Sequence, residues 1–137
     1  MNDATHAAYS AYLTLLAERL LLRDWSIRLS QGTAESGRYA QVVISLQKNE
    51  AQVYLAEGWA GFPPEEQRDT LIHELLHLQT SRLRQVMRRL RDQLNSDVAL
   101  YADTAFDEEE EILIDTLARV IAPFLPQIAA FATAVEN

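Results

Sequence analysis

The sequence contains no cysteine and has few cationic side chains relative to anionic ones. Without cysteine the chain can form no disulfide and offers no thiolate, so any metal site must use histidine and carboxylate ligands. The absence also fits a reducing compartment. Lysine and arginine number 12 against 20 aspartate and glutamate, which gives a net charge of −8. Because phosphate binding needs a basic surface, this balance argues against nucleic acid as the main partner.

Long hydrophobic runs are absent as well. The longest uncharged apolar run covers residues 120–135 and is interrupted by Pro123 and Pro126, so it is too short and broken to span a bilayer. The N-terminus has no basic segment followed by an apolar stretch, and we therefore expect no signal peptide. A chain of 137 residues with 48% hydrophobic content fits one domain over residues 1–137. We expect a soluble, cytoplasmic protein that does not enter a membrane.

Hydrophobic spacing predicts an α+β fold. Apolar residues three and four apart indicate an N-terminal helix over residues 4–22, and alternating patterns predict three strands at 25–30, 39–46 and 51–56. The polar turn 47–50 makes the last two strands a hairpin. A long helical pattern starts at Pro63 and Pro64 and persists to about Leu94, with a break expected near residues 79–81. A polar loop over 95–107 and a final helix over 107–122 complete the prediction.

The residues that can carry chemistry lie in the long helix, in the segment HELLH. His73 and His77 are four residues apart, so they share a helical face and can point at one ion. Neutral imidazole nitrogens suit zinc. Glu74 follows the first ligand and can take a proton from a zinc-activated water without coordinating the metal itself. This spacing predicts a zinc site with Glu74 as general base.

The competing interpretation is a solvated histidine pair without function. Two of the three histidines in the chain fall inside this five-residue window, and Leu71, Ile72 and Leu78 surround it. Burying three polar groups in such an apolar segment is costly unless they serve a function. We therefore favour the zinc interpretation.

A third protein ligand is expected from the acidic cluster at residues 107–111. Most of the cluster is interpreted as a charged first helical turn. Glu111 is favoured as the ligand because Asp115 lies four residues on and can accept a hydrogen bond from a ligand histidine. Glu110 and Glu108 are its rivals, and His6 near the N-terminus carries little weight.

Two segments carry a resemblance to a known family. The segment TLIHELLHL at residues 70–78 resembles the active-site helix of the zincins, and EILID at 111–115 is similar to the E-x-x-x-D glutamate helix of gluzincins, the thermolysin-like branch. The size and order of elements resemble the compact minigluzincin core and small phage and bacterial metallopeptidases. The layout is alike over residues 25–120, whereas specific motifs cover only the two helical segments.

This resemblance implies a zinc metallopeptidase that cleaves peptide or protein substrates. Glu111 would be the third ligand, Asp115 would lie behind a ligand histidine, and the strand Val53, Tyr54 and Leu55 would be the cleft-edge strand that pairs with substrate. No metzincin H-x-x-G-x-x-H continuation follows His77. Larger gluzincins also supply a histidine or tyrosine that stabilises the oxyanion. Tyr101, in the predicted loop, is the single candidate here, and we favour its interpretation as a loop or core aromatic over this role.

The Arg-rich segment at residues 82–91 supports the alternative function. It is predicted as a separate long helix, inserted over the site, with a basic stripe opposite an apolar one. The simpler interpretation is a solvated amphipathic face paired with the acidic cluster. The functional one is a latent or non-catalytic zinc-stabilised binding module that engages a protein or nucleic-acid partner through this helix or the apolar C-terminal segment.

Overall fold

The chain folds as an α+β protein. The structure, a computed structural model, describes residues 1–128 and contains helices α1 (Asp3–Arg19), α2 (Pro64–Arg91) and α3 (Ser96–Ile121). Strands β1 (Ser26–Thr33), β2 (Ala40–Ser45) and β3 (Glu50–Leu55) form a mixed sheet, and two short 3₁₀ turns follow β3 and α3. In this part of the chain no helix has the length and hydrophobicity that a membrane crossing requires.

Helix α1 begins at a side-chain cap and buries one face. The Asn2 side chain accepts a hydrogen bond from the Thr5 amide, which satisfies one of the free donors of the first turn. Tyr12, Leu13 and Leu16 are almost fully buried. The Tyr12 hydroxyl donates to the carbonyl of Pro126 at 2.6 Å, which ties the two ends of the described chain together.

The sheet has the order β1-β3-β2, with β1 parallel and β2 antiparallel to β3. The predicted strands are confirmed within a few residues, and β2 and β3 form the predicted hairpin, with Asn49 at φ 50° in its turn. The assignment of Val53, Tyr54 and Leu55 to a cleft-edge strand is wrong. They lie in β3, the central strand, whose two edges are both paired, and Val53 is fully buried.

Helix α2 is continuous over 28 residues, so the break predicted near residues 79–81 is wrong. Pro64 occupies its first turn and Glu65 and Glu66 follow, as expected at a helix N-terminus. No glycine or proline interrupts it, and the buried Ser81 hydroxyl donates to the Leu78 carbonyl, so this polar group is satisfied within the helix. The Arg-rich segment is the second half of this same helix and not an insertion.

Helix α3 begins eleven residues earlier than predicted. The Asn95 side chain caps it by accepting from the Val98 amide, so the predicted loop over 95–107 is helical. The acidic cluster therefore lies in the middle of α3 and not in a first turn. Tyr101 is likewise a helical residue, 76% exposed.

One hydrophobic core joins α1, the sheet, the first half of α2 and the second half of α3. From Arg82 to Glu109 no residue is buried. This stretch, which we call the helical hairpin (residues 82–109), contains the second half of α2, the turn 92–95 and the first half of α3. The candidate site lies where the hairpin joins the core.

Candidate metal centre

The two histidines of α2 meet a carboxylate of α3. His73 and His77 are one turn apart, with ring centroids separated by 5.2 Å. Their Nε2 atoms lie 3.3 Å and 3.2 Å from the two carboxylate oxygens of Glu111. The ligand atoms of all three residues fall within 4.8 Å of one another. The structure thus brings together the three residues that the sequence selected.

These separations can be compared with zinc geometry. Tetrahedral zinc with bonds of about 2.0–2.1 Å places neighbouring ligand atoms about 3.3 Å apart. Each Nε2 to oxygen distance is close to that value, although the two distances run to different oxygens of Glu111. Two imidazoles and one carboxylate form a donor set that zinc accepts, with a fourth position left for solvent or substrate. The residues present therefore fit a zinc ion.

The outer nitrogen of His73 is held by Asp115. Its Nδ1 lies 3.1 Å from the Asp115 carboxylate oxygen. With Nε2 directed at a metal, Nδ1 would carry the proton beside this carboxylate, whose charge would favour that tautomer. The Asp115 side chain is 55% exposed. The free-energy cost of burying the Asp115 carboxylate is therefore small.

The outer nitrogen of His77 contacts Glu110 and not Asp115. Glu110, considered from the sequence as a rival ligand, lies with an oxygen 3.0 Å from His77 Nδ1. Its side chain is only 2% exposed, and Arg84 donates to both of its oxygens at 3.2 and 2.8 Å and to Asp107 at 2.8 Å. Burial raises the pKa of Glu110, but the hydrogen bonds and charge of Arg84 outweigh it and hold that pKa below its usual range.

The spacing contained a signal for this role. Glu110 is four residues before Ile114, which is fully buried, so the two share the face of α3 that packs on α2. A carboxylate on a core-facing position requires a cation, and Arg84 is seven residues after His77 on the same face of α2. Glu108, the other rival, is exposed and does not join the three-residue cluster.

Glu74 stands beside the cluster and is half-buried. Burial raises its pKa, while the neighbouring imidazoles and Arg38 oppose that rise. A cation bound by the three ligands would lower the pKa again, because an adjacent positive charge favours the carboxylate. Glu74 is therefore placed where its proton affinity depends on the occupant of the site.

A cavity of about 600 Å³ opens over these groups. Its wall includes the three candidate ligands and Glu74, together with Asp69 and Asp115. The segment just before β2 supplies Arg38 and Tyr39, and the end of α3 supplies Arg119. These lining residues were not selected from the sequence, because they are far apart along the chain and carry no motif.

Other predicted residues lie outside this cavity. Tyr101 precedes Glu111 by ten residues on one helix, which is about 15 Å along its axis, and it does not line the cavity. Val53, Tyr54 and Leu55 do not line it either. His6 is engaged elsewhere, with Nε2 at 3.2 Å from the Leu29 carbonyl.

Comparisons with models of protein families, with curated proteins and with solved structures find no match to this chain.

Proposed function

We propose that this protein is a cytoplasmic zinc-dependent peptidase of zincin-like type, in the gluzincin branch. The observation that carries the proposal is the convergence of His73, His77 and Glu111, with ligand atoms within 4.8 Å of one another, at an open cavity that Glu74 also lines. A bound zinc ion supplies a Lewis acid that lowers the pKa of water and polarises a scissile carbonyl.

Glu74 acts as general base and then as general acid. Its carboxylate accepts a proton from the attacking water and later gives that proton to the leaving amine of the peptide. Burial raises the pKa of Glu74 in the metal-free protein, and a bound zinc ion would oppose that rise. The balance of the two effects tunes a group that must both take and return a proton.

Three further residues orient the ligands. Asp115 and Glu110 accept the Nδ1 protons of His73 and His77, which keeps both Nε2 lone pairs directed at the site. Arg84 in turn holds Glu110 in its ionised form. The chain thereby limits the rotation of both imidazoles before any metal binds.

The substrate would lie along β2. This strand is at an edge of the sheet, and its first residue, Ala40, borders the cavity beside Tyr39, which precedes the strand. An extended peptide can pair with the free backbone groups of such an edge. We therefore assign to β2 the substrate-pairing role that was predicted for β3. Arg38, whose charge acts on Glu74, takes the place of Tyr101 as the group that stabilises negative charge on the carbonyl oxygen.

The alternative is a zinc-stabilised binding module without catalysis. This module would use the same metal ligands but would give Glu74 no role. Substitution of Glu74 therefore distinguishes the two functions. The exposed apolar side chains of the helical hairpin favour an additional binding surface in either case.

The first test is metal content. Purified wild type should contain about one zinc per chain by elemental analysis, and Glu111→Ala should lose most of it. Glu108→Ala is the matched control, since it removes an exposed glutamate three residues away and should retain the metal. A wild type that neither contains nor takes up zinc would rule out the site.

The second test is hydrolysis. Wild type should cleave members of a peptide library, and Glu74→Gln should bind zinc normally while losing cleavage. Equal zinc content with no cleavage by either protein would support the binding module. Full activity of Glu74→Gln would refute the assigned base.

A further inference from the structure

The cavity over the metal ligands continues into a second cavity. The first has a volume of about 600 Å³ and the second a volume of about 260 Å³. Four residues line both of them: Arg38, Glu74, His77 and Glu111. From these shared residues the first cavity extends to Asp69 near the start of α2, and the second extends to Arg88 in the second half of the helix. The two cavities therefore form one groove that continues on both sides of the candidate zinc site.

One wall of this groove is the free edge of β2. The Tyr39 carbonyl accepts a hydrogen bond from the Ala56 amide, just after β3. Because hydrogen-bonded pairs alternate along an antiparallel ladder, Ala40, Val42 and Ile44 direct their backbone groups away from β3. The same three residues line the groove, Ala40 in the first cavity and the other two in the second. A peptide paired with β2 would therefore extend through both cavities.

The opposite wall of the groove includes one side of α2. Its residues recur at three- and four-residue spacing and continue from the first cavity into the second: Thr70, Glu74, His77, Ser81, Arg84 and Arg88. Arg88 is the last of them, eleven residues or about 16 Å along the helix axis from His77. It is therefore the cation at the end of the second cavity.

Arg88 has no acidic partner among the described residues. Its side chain is exposed and enters neither an ion pair nor a hydrogen bond in this part of the chain. Arg84 and Arg91, its neighbours on this side of α2, hold the nearby acidic residues of α3: Asp103, Asp107 and Glu110. Arg88 can therefore pair with an acidic group from outside the chain.

The two cavities differ in net charge. The lining of the first includes two arginines and four acidic residues, whereas the lining of the second includes three arginines and three acidic residues. A bound zinc ion adds two positive charges to both linings. With all acidic residues ionised, the first cavity then becomes neutral and the second becomes net positive. An anionic group of a substrate is therefore attracted to the second cavity more than to the first.

We propose that the second cavity is a subsite for an acidic side chain of the peptide substrate, and that Arg88 binds this side chain. The inference rests on the proposed function, because it concerns which peptides the same groove selects. A substrate paired with β2 places an aspartate or glutamate beside Arg88, on one side of the scissile bond. Val42 and Ile44 cover the aliphatic part of that side chain. Arg88 determines specificity and takes no part in the hydrolysis itself.

The first experiment measures binding without cleavage. The full chain with Glu74→Gln, loaded with zinc, is titrated with a series of short peptides that carry one glutamate at successive positions, and with the glutamine version of each. At one position the glutamate peptide should bind about tenfold more tightly, because its carboxylate makes a charge-assisted hydrogen bond that the amide cannot make. Absence of this preference at every position, or absence of binding, would overturn the proposal.

Variants of the arginines identify the side chain that is responsible. In the same background, Arg88→Gln should remove the preference for glutamate, and Arg88→Glu should reverse it in favour of a lysine peptide. Arg89→Gln is the matched control, because it makes the same change in charge at an exposed arginine that lines neither cavity. It should keep the preference. A preference that both glutamine variants lose equally would be general electrostatic attraction, and the subsite would be refuted.

Cleavage of a peptide library separates this inference from the proposed function. Wild-type products should carry aspartate or glutamate at one fixed distance from the cut bond, and Arg88→Gln should lower kcat/KM for such peptides about tenfold relative to Arg89→Gln. Cleavage without this selection would refute the subsite and support the peptidase. Selective binding of acidic peptides by a zinc-loaded wild type that cleaves none would support the subsite and refute the peptidase.

Discussion

Replacing Glu110 by alanine should weaken zinc binding although Glu110 is not a ligand. In wild type its carboxylate accepts the Nδ1 proton of His77 at 3.0 Å and is itself held by Arg84. Without it, the imidazole can rotate and can bear its proton on the nitrogen that faces the metal. Loss of such a partner typically costs 10–100-fold in metal affinity, or about 1.4–2.7 kcal/mol.

The burial of Glu110 leads us to expect a loss of zinc affinity in the upper part of that range. The Glu110 side chain is 2% exposed, so bulk water has little access to replace the lost acceptor. Asp115, which holds His73, is 55% exposed, and water can serve that nitrogen instead. We therefore expect Glu110→Ala to lose about 50–100-fold in zinc affinity. Asp115→Ala should lose only about tenfold.

The assay is zinc titration in competition with a chelator of known affinity, at a pH where both histidines are neutral. Glu108→Ala serves as the control for the loss of one negative charge from the same helix. If Glu110→Ala and Glu108→Ala bound zinc equally well, the orienting role of Glu110 would be refuted. If Asp115→Ala lost more affinity than Glu110→Ala, burial would be the wrong basis for ranking the two partners.

Three further predictions follow from other contacts. Because the pKa of Glu110 is lowered in the folded state, its stabilisation is complete above its unfolded pKa of about 4.3 and disappears as pH falls through the folded value. Urea unfolding should therefore show Glu110→Gln less stable by about 1.5–3 kcal/mol at pH 7 and a smaller difference at pH 3. Tyr12→Phe should cost about 1 kcal/mol in the same assay, since the Pro126 carbonyl loses its donor, whereas equal stability would show that water replaces the hydroxyl. Arg38→Gln should lower kcat about 100-fold with little change in KM, and an unchanged kcat would remove Arg38 from the mechanism.

The sequence predicted the histidine pair and the three strands better than the lengths of helices α2 and α3. Helix geometry was sufficient to predict that His73 and His77 share a face. Glu111 was selected by its spacing from Asp115 and by the resemblance to the gluzincin glutamate helix, and the structure brings it to the two histidines. The break in α2 was predicted from the unusual length of the helical pattern, and the loop before α3 from its polar composition. A helix with few tertiary contacts has the same polar composition as a loop, so composition alone does not distinguish them. In addition, Asn95 was not recognised as a helix cap.

The errors in the site have a different physical origin. The order of strands in a sheet depends on long-range pairing, so β3 could not be distinguished from an edge strand by its residues alone. Arg38 and Arg119 reach the cavity only through the folded arrangement of β2 and α3. Residues 129–137, which include the predicted apolar C-terminal segment, lie outside the described structure.

The uninterrupted length of α2 has a consequence for control of the protein. Its 28 residues form a rod about 42 Å long, with the metal ligands in its first half and the hairpin surface in its second. Arg84 stands between them, bonded to Glu110 on one side and to Asp107 of the hairpin on the other. Any event that displaced α3 relative to α2 would move Arg84, Glu110 and Glu111 together. Metal binding would then be thermodynamically linked to that event, each changing the equilibrium constant of the other by the same factor.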